Sequence, residues 1–431
     1  MIYPLHVIPF QIAAFGWLPS LSERCLVPPE ANLRIRELDG WRAVSILLVI
    51  LHHAIIFSFP ATFASHAFVS RFGEYIGELG VQTFFVISGF VITRLLLREE
   101  QQRGSISLPA FYIRRIFRIL PIFLLVAAIT ALLSAFGLTP ISRSALLTAV
   151  FFVKDMAHPS FDWFLGHTWS LAVEEQFYIV FPLAWILLSR SPVTAPRRRA
   201  TVFLVTFFGF LAWTILSQWN LGASFLNRSA IVGFCCINFG VLFAIHEQRA
   251  RRWAQRIPAF LPLLVAVFLL LRPLPGTPLG RSLYYPIVPI AIGLILAHTI
   301  SRPGWVASLL KTPVLQWIGL VSYSAYLWQQ LFTAHPSFYG SPAIARAFHL
   351  AIPAIFLIAA ASYYGIELPI IHLGRRLSQR FTSPERIAAS PFPRTTHTPQ
   401  PATVHAPMLM ASPLPASQES PTSAPHPPMH P

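Results

Sequence analysis

Apolar residues in this chain gather in runs of about 20, parted by short polar or basic stretches. A helix of that length crosses the hydrocarbon core of a bilayer, roughly 30 Å at about 1.5 Å per residue. The runs predict ten spans, at residues 40–59, 76–97, 120–138, 167–189, 199–219, 229–246, 258–272, 283–300, 314–334 and 345–366. The stretch 144–154 is apolar but too short to cross, so it is expected to form a surface or re-entrant piece on the far side. No water reaches the backbone inside lipid, so each span must satisfy its own hydrogen bonds as a helix. The expected fold class is all-α, a polytopic transmembrane helical bundle.

Composition agrees with that pattern. Of the 431 residues, 55% are hydrophobic and 11% charged, against about 25% charged in soluble domains. A net charge of +16 is compatible with a nucleic-acid partner, but its distribution has a simpler cause. With the N-terminus cytoplasmic, 25 of the 32 basic residues fall on the inner side and 7 on the outer. That asymmetry predicts two cytoplasmic termini and an even number of spans, and no nucleic acid as partner. Residues 1–35 read as an N-terminal extension without a basic leader, so no cleaved signal peptide is expected. From about Phe381 the chain turns to Pro, Ser, Thr and Ala and holds 13 of the 39 prolines, which predicts a disordered cytoplasmic tail over 381–431. The three cysteines, Cys25, Cys235 and Cys236, make no CxxC pair and no disulfide framework.

Ionisable groups within spans are costly and usually functional. The first span carries His52 and His53 in an apolar setting. Asp39, Arg42, Ile46, Val49 and His53 follow 3-4-3-4 spacing, so His53 lies about 40° from Asp39 around the helix and His52 about 140°. His53 thus shares a stripe with the other ionisable residues, about 20 Å above Gly40, and His52 is expected to pack locally. An interhelix hydrogen bond is the structural alternative for such a histidine. The fourth span carries His167, Ser170, Glu174 and Tyr178 on one face. Counted from the outer entry of that span, Glu174 is about 10 Å deep, which suggests the level of His53. A carboxylate there orients a histidine and raises its basicity, although a structural hydrogen bond would explain it slightly better alone. On the cytoplasmic side Arg114, Arg115 and Arg118 form a cluster suited to phosphate, where basic residues are expected anyway. Gly89 beside Ser88 suggests close helix packing, and the polar span 318–330 suggests a cavity wall. No GxSxG elbow, HExxH motif, P-loop or dinucleotide fingerprint is present, and no metal is expected.

Five ordered motifs carry a family resemblance: LDGWRA followed by the two histidines, FFVISGFVIT, YIRRIFRILP, TWSLAVEEQFYIVFP, and IGLVSYSAYLW with YYGIELP after it. Together they resemble the acyltransferase 3 family of integral membrane acyltransferases, which includes O-antigen and other O-acetylases, from about Arg36 to Pro369. The resemblance implies a membrane acyltransferase domain over 36–372 in the inner (plasma) membrane. It implies acyl-CoA, foremost acetyl-CoA, as a cytoplasmic donor substrate with no permanently bound cofactor. The implied acceptor is a hydroxyl on an envelope glycan or glycolipid, or on a secondary metabolite. The family's catalytic histidine falls on His53, its arginine motif on Arg115 and Arg118 with Arg114 beside them, and its WSLxxE carboxylate on Glu174. Its late YxxExP motif falls on Tyr364, Glu367 and Pro369. Where the family often reads YLWH, this chain has Gln329, which cannot titrate.

These readings combine into an expected mechanism. His53 deprotonates the acceptor hydroxyl, Glu174 orients His53 or stabilises its protonated form, and Arg114, Arg115 and Arg118 hold the donor's phosphates. Asp39, Arg42, Ser170, Tyr178 and Glu367 are supporting residues. The rival reading is a proton-coupled transporter or flippase of a sugar or lipid, with His53 and Glu174 as its relay. A catalytically dead scaffold is the third reading, less favoured because both residues are present.

Overall fold

Gly104 and Gly137, both at φ +71°, close two long helices in the left-handed conformation that glycine adopts without strain. Between them Ser107 caps a new helix, its hydroxyl accepting the Ala110 N–H at 3.4 Å, with Pro109 in the first turn. Such local signals set the boundaries of an all-helical chain. The computed structural model describes residues 34–58, 67–156, 163–189, 195–219, 228–271, 277–334 and 350–382. The N-terminal extension, apart from its last two residues, and the tail beyond 382 lie outside the described residues.

The helices are α1 (Arg36–Ser58), α2 (Ala67–Arg103), α3 (Leu108–Ala135), α4 (Arg143–Val150), α5 (Trp163–Gly166), α6 (Thr168–Leu188), α7 (Ala195–Gln218) and α8 (Arg228–Ile245). They continue as α9 (Glu247–Ala254), α10 (Phe260–Leu271), α11 (Pro278–Tyr284), α12 (Ile287–Ser301), α13 (Trp305–Leu310), α14 (Pro313–Thr333) and α15 (Ala351–Ser362). A wide π-turn, Tyr363–Glu367, then joins α15 to α16 (Leu368–Gln379). No strand occurs among the described residues.

Among the described residues, six helical stretches are long and apolar enough to cross a membrane: Tyr75–Arg103, Leu108–Ala135, Trp163–Leu188, Ala195–Gln218, Pro278–Ser301 and Ala351–Gln379. A seventh is α8 with α9, bent by 88° between them. The expected ten is therefore not matched by length and composition. α10 has only 12 residues, and α14 has 21 but is lined with Ser, Tyr and Gln. α1 has 23 residues and opens on Glu37 and Asp39. The third predicted span begins earlier, at Leu108, and the last runs on to Gln379. The short piece near 144–154 is α4 and the turn after it, whose Phe152 carbonyl and Asp155 carboxylate accept the Gln176 amide at 3.0 and 2.9 Å.

Lipid supplies no hydrophobic drive between helices, so close packing of small residues matters. A Cβ at Gly89 of α2 would collide with the Ile237 carbonyl of α8, and one at Gly240 with the Val86 carbonyl. α1 is held the same way on two sides: Gly80 of α2 meets the Ser45 carbonyl, and Gly319 of α14 meets the Asp39 carbonyl. Outward faces stay apolar, with Leu204, Val205 and Phe208 of α7 exposed by 47%, 65% and 56%. At one end of the bundle, ion pairs join the helix ends. Lys311 meets Glu37 at 2.6 Å, Arg94 meets Glu247 at 3.0 Å, and Arg199 grips both oxygens of Glu100 at 2.6 and 2.7 Å. The Ser107 hydroxyl donates to the Phe381 carbonyl at that same end.

Candidate active site

α1, α2 and α14, with α3, α6 and α11, line two cavities. The first, about 500 Å³, is lined by His52, His53, Glu78, His167, Trp169, Arg281, Tyr285, Tyr326 and Gln330. The second, about 270 Å³, is lined by Arg42, Ser88, Arg115, Arg118, Ser170, Glu174, Tyr178, Tyr323 and Tyr326. Val81 and Tyr326 line both. Tyr326 is fixed at that junction: its hydroxyl donates to the His167 carbonyl at 2.9 Å and lies 2.5 Å from the Ser170 hydroxyl. The polar α14 forms a wall of both cavities, as its sequence suggested.

His53 stands in the first cavity, as the stripe on α1 requires. Its ring meets Trp163 edge-on, centroids 5.2 Å apart, and its Nδ1 is buried without a hydrogen-bond partner. The Gln329 amide lies beside it, in the position where the family often has histidine. His52 packs across to α2, where Gly77 leaves room for its ring and a Cβ would collide. Yet His52 also reaches the first cavity and lies edge-on to His53 at 4.6 Å, so the two imidazoles are neighbours rather than opposites.

Glu174 is not beside His53. Its carboxylate accepts the Ser88 hydroxyl at 2.6 Å and faces Arg42, Arg115 and Tyr178 in the second cavity. The expected common level fails because the descending chain is already beside His53 at α5, through Trp163. Eleven residues later, about 16 Å further at the rise of a helix, Glu174 faces Arg42. The orienting role that the sequence assigned to Glu174 therefore lacks contact with its target. Its near neighbour Glu175 has one buried oxygen without a partner and lines neither cavity.

The arginine cluster divides in a similar way. Arg115 and Arg118 line the second cavity, where Arg115 lies over the Tyr178 ring at 4.9 Å. Arg114 turns to Glu99 of α2, 3.1 Å away, and lines neither cavity. Its place is taken by Arg42, so three guanidinium groups still converge. The Tyr178 hydroxyl donates to Ser88 at 3.2 Å, completing a chain from Tyr178 through Ser88 to Glu174. Asp39 is engaged outside both cavities by Arg34 at 2.5 Å. Glu367, at the end of the π-turn, is buried and accepts the Ser324 hydroxyl of α14. Such wide turns occur often at functional sites. Sequence reasoning placed His167 on a polar face but gave it no role. Tyr326 and Gln330 were seen only as polar members of a span, since nothing local reveals that they meet His167. Among the described residues no group of three or more metal-ligating side chains gathers.

Comparison with known proteins bears on this geometry. The chain is 28% identical to the O-acetyltransferase OatA of Staphylococcus aureus over 361 residues, 77% of this chain and 56% of that protein. It is 26% identical to the peptidoglycan O-acetyltransferase OatA of Listeria monocytogenes over 373 residues, 78% of this chain and 56% of that protein. The chain thus spans a little over half the length of the curated relatives it matches. No solved structure matches it. The acyltransferase 3 family, described as an acyltransferase domain, matches residues 35–367, which hold both cavities and every candidate residue above. The chain is a multi-pass membrane protein and belongs to the acyltransferase 3 family.

Proposed function

We propose that this protein transfers an acyl group, acetyl foremost, from acyl-CoA to a hydroxyl of an envelope glycan or glycolipid. The observation that carries the reading is the pair of cavities meeting at Tyr326. One presents guanidinium groups, the other imidazoles. Forked, charge-assisted hydrogen bonds suit arginine to phosphate, so Arg115, Arg118 and Arg42 receive the donor. Glu174 offsets part of their charge and, through Ser88 and Tyr178, holds the cavity wall. The pantetheine arm carries the thioester toward the junction, while the acceptor occupies the larger cavity.

His53 takes the proton of the acceptor hydroxyl as its oxygen attacks the thioester carbonyl. The C–S bond then breaks, an ester forms, and the departing thiolate recovers the proton from His53. Thiolate is an adequate leaving group, so the steps balance with the chain's own residues. The name of the listerial relative supports a cell-envelope glycan as the acceptor class. The excess of basic residues on one side supports ten crossings with both termini cytoplasmic.

The test is transfer by purified protein in lipid nanodiscs from labelled acetyl-CoA. General-base help is worth about 10²–10⁴-fold. His53→Ala is expected to lose transfer by that factor while still binding acetyl-CoA. Near-normal transfer by a correctly inserted His53→Ala protein would rule the mechanism out.

A further inference from the structure

The geometry points to His167 as the positioning partner of His53, held in one tautomer by Gln330. This rests on the acyl-transfer reading and deepens it. The Gln330 side-chain oxygen accepts the His167 backbone N–H at 3.3 Å. A backbone N–H can only donate, so the atom facing it is the amide oxygen and not the amide nitrogen. The same oxygen is hydrogen-bonded to His167 Nδ1. An amide oxygen only accepts, so Nδ1 carries the hydrogen and Nε2 carries the lone pair. That Nε2 is buried and has no partner. An unpaired buried acceptor is costly and is retained where a site uses it.

His53 offers the complement. It shares the first cavity with His167 and has its own ring nitrogen, Nδ1, without a hydrogen-bond partner. Once His53 has taken the acceptor's proton, both of its ring nitrogens are donors. The His167 lone pair then receives one of them. No carboxylate is needed for this, which accounts for Glu174 standing a cavity away. Gln330 is anchored in turn, since its backbone carbonyl accepts the Trp163 indole N–H at 3.0 Å and Trp163 packs on His53. His53 of α1 and His167, just before α6, are thus tied through Trp163 of α5 and Gln330 of α14. The other titratable groups around this pair are His52 of α1, Tyr75 and Glu78 of α2, Arg281 of α11, Tyr285 after it, and Tyr326 of α14.

Three variants in nanodiscs test the pairing, with kcat, acyl-CoA KM and pH–rate profiles measured for each. His167→Leu removes the acceptor and is expected to lower kcat by about 10–100-fold, the usual cost of losing an orienting partner. Its KM for acyl-CoA stays unchanged and its acid limb moves to lower pH. His167→Gln restores an acceptor near the Nε2 position and recovers most of kcat. Gln330→Leu leaves His167 present but frees its tautomer, and lowers kcat with the same unchanged KM; it decides the matter should His167→Leu fail to fold. A His167→Leu protein with wild-type kcat and profile overturns the pairing, as do equal losses in His167→Leu and His167→Gln. If His53→Ala is inactive in that case, only the pairing falls. If His53→Ala is active, the acyl-transfer mechanism falls first.

Discussion

Arg114 and Arg118 show how much a single residue's role depends on what the neighbouring helix brings. Helical spacing puts both within one basic cluster, yet Arg114 is drawn to Glu99 while Arg118 lines the second cavity. Arg118→Ala is expected to remove a charge-assisted contact worth about 1.5–3 kcal/mol and so raise the acyl-CoA KM by roughly 10–100-fold. Arg114→Ala breaks a part-exposed pair worth about 0–1 kcal/mol, and its KM is expected to stay within about fivefold of wild type. Initial rates over a range of acyl-CoA concentrations separate the two; equal effects would show that both arginines bind the donor. The stripe on α1 was legible in the sequence because it is a property of one helix: Ile46 and Val49 are buried, and Arg42 and His53 reach the cavities. The partnership of Glu174 with His53 was not legible. It required knowing at what level α6 begins, which is set by α5 and the chain before it.

At the scale of elements, glycines decide which helices touch. α2 and α8 meet backbone to backbone at Gly89 and Gly240, the close approach that Gly89 suggested. Gly89→Ala forces the pair apart and is expected to cost about 1–3 kcal/mol, as overpacking does. Gly209, in α7, has nothing within 4 Å of where a Cβ would stand. Gly209→Ala is therefore expected to be neutral or to stabilise by about 0.5–1 kcal/mol through backbone entropy. Thermal unfolding in detergent ranks the two variants, and the opposite order would contradict this account of the α2–α8 contact. Helix existence was readable from apolar length alone. Helix ends were less so, because α3 starts at its Ser107 cap and α16 continues past the π-turn, and neither boundary coincides with a change in hydropathy.

For the whole molecule, ion pairs such as Lys311–Glu37, Arg94–Glu247 and Arg199–Glu100 tie helices together. The ten-crossing arrangement predicts the side on which each loop is exposed. In intact cells, Arg143→Cys is expected to react with an impermeant thiol reagent, and Lys311→Cys only after permeabilisation. The reverse pattern would invert the topology and move the donor cavity to the wrong side of the membrane. Polar spans such as α14 escape a count based on apolarity because they face other helices and cavities instead of lipid.

The glycine contacts of α1 have one more consequence, for how the larger cavity can be altered. With the Ser45 and Asp39 carbonyls pressed against Gly80 and Gly319, α1 is the fixed jaw of the larger cavity. If the proposed acceptor sits there, a bulkier or slimmer one has to be accommodated by the opposite jaw, where Arg281 of the seven-residue α11 and Tyr285 after it line the cavity. Attempts to retune acceptor range belong there, and substitutions along α1 will cost activity before they change preference.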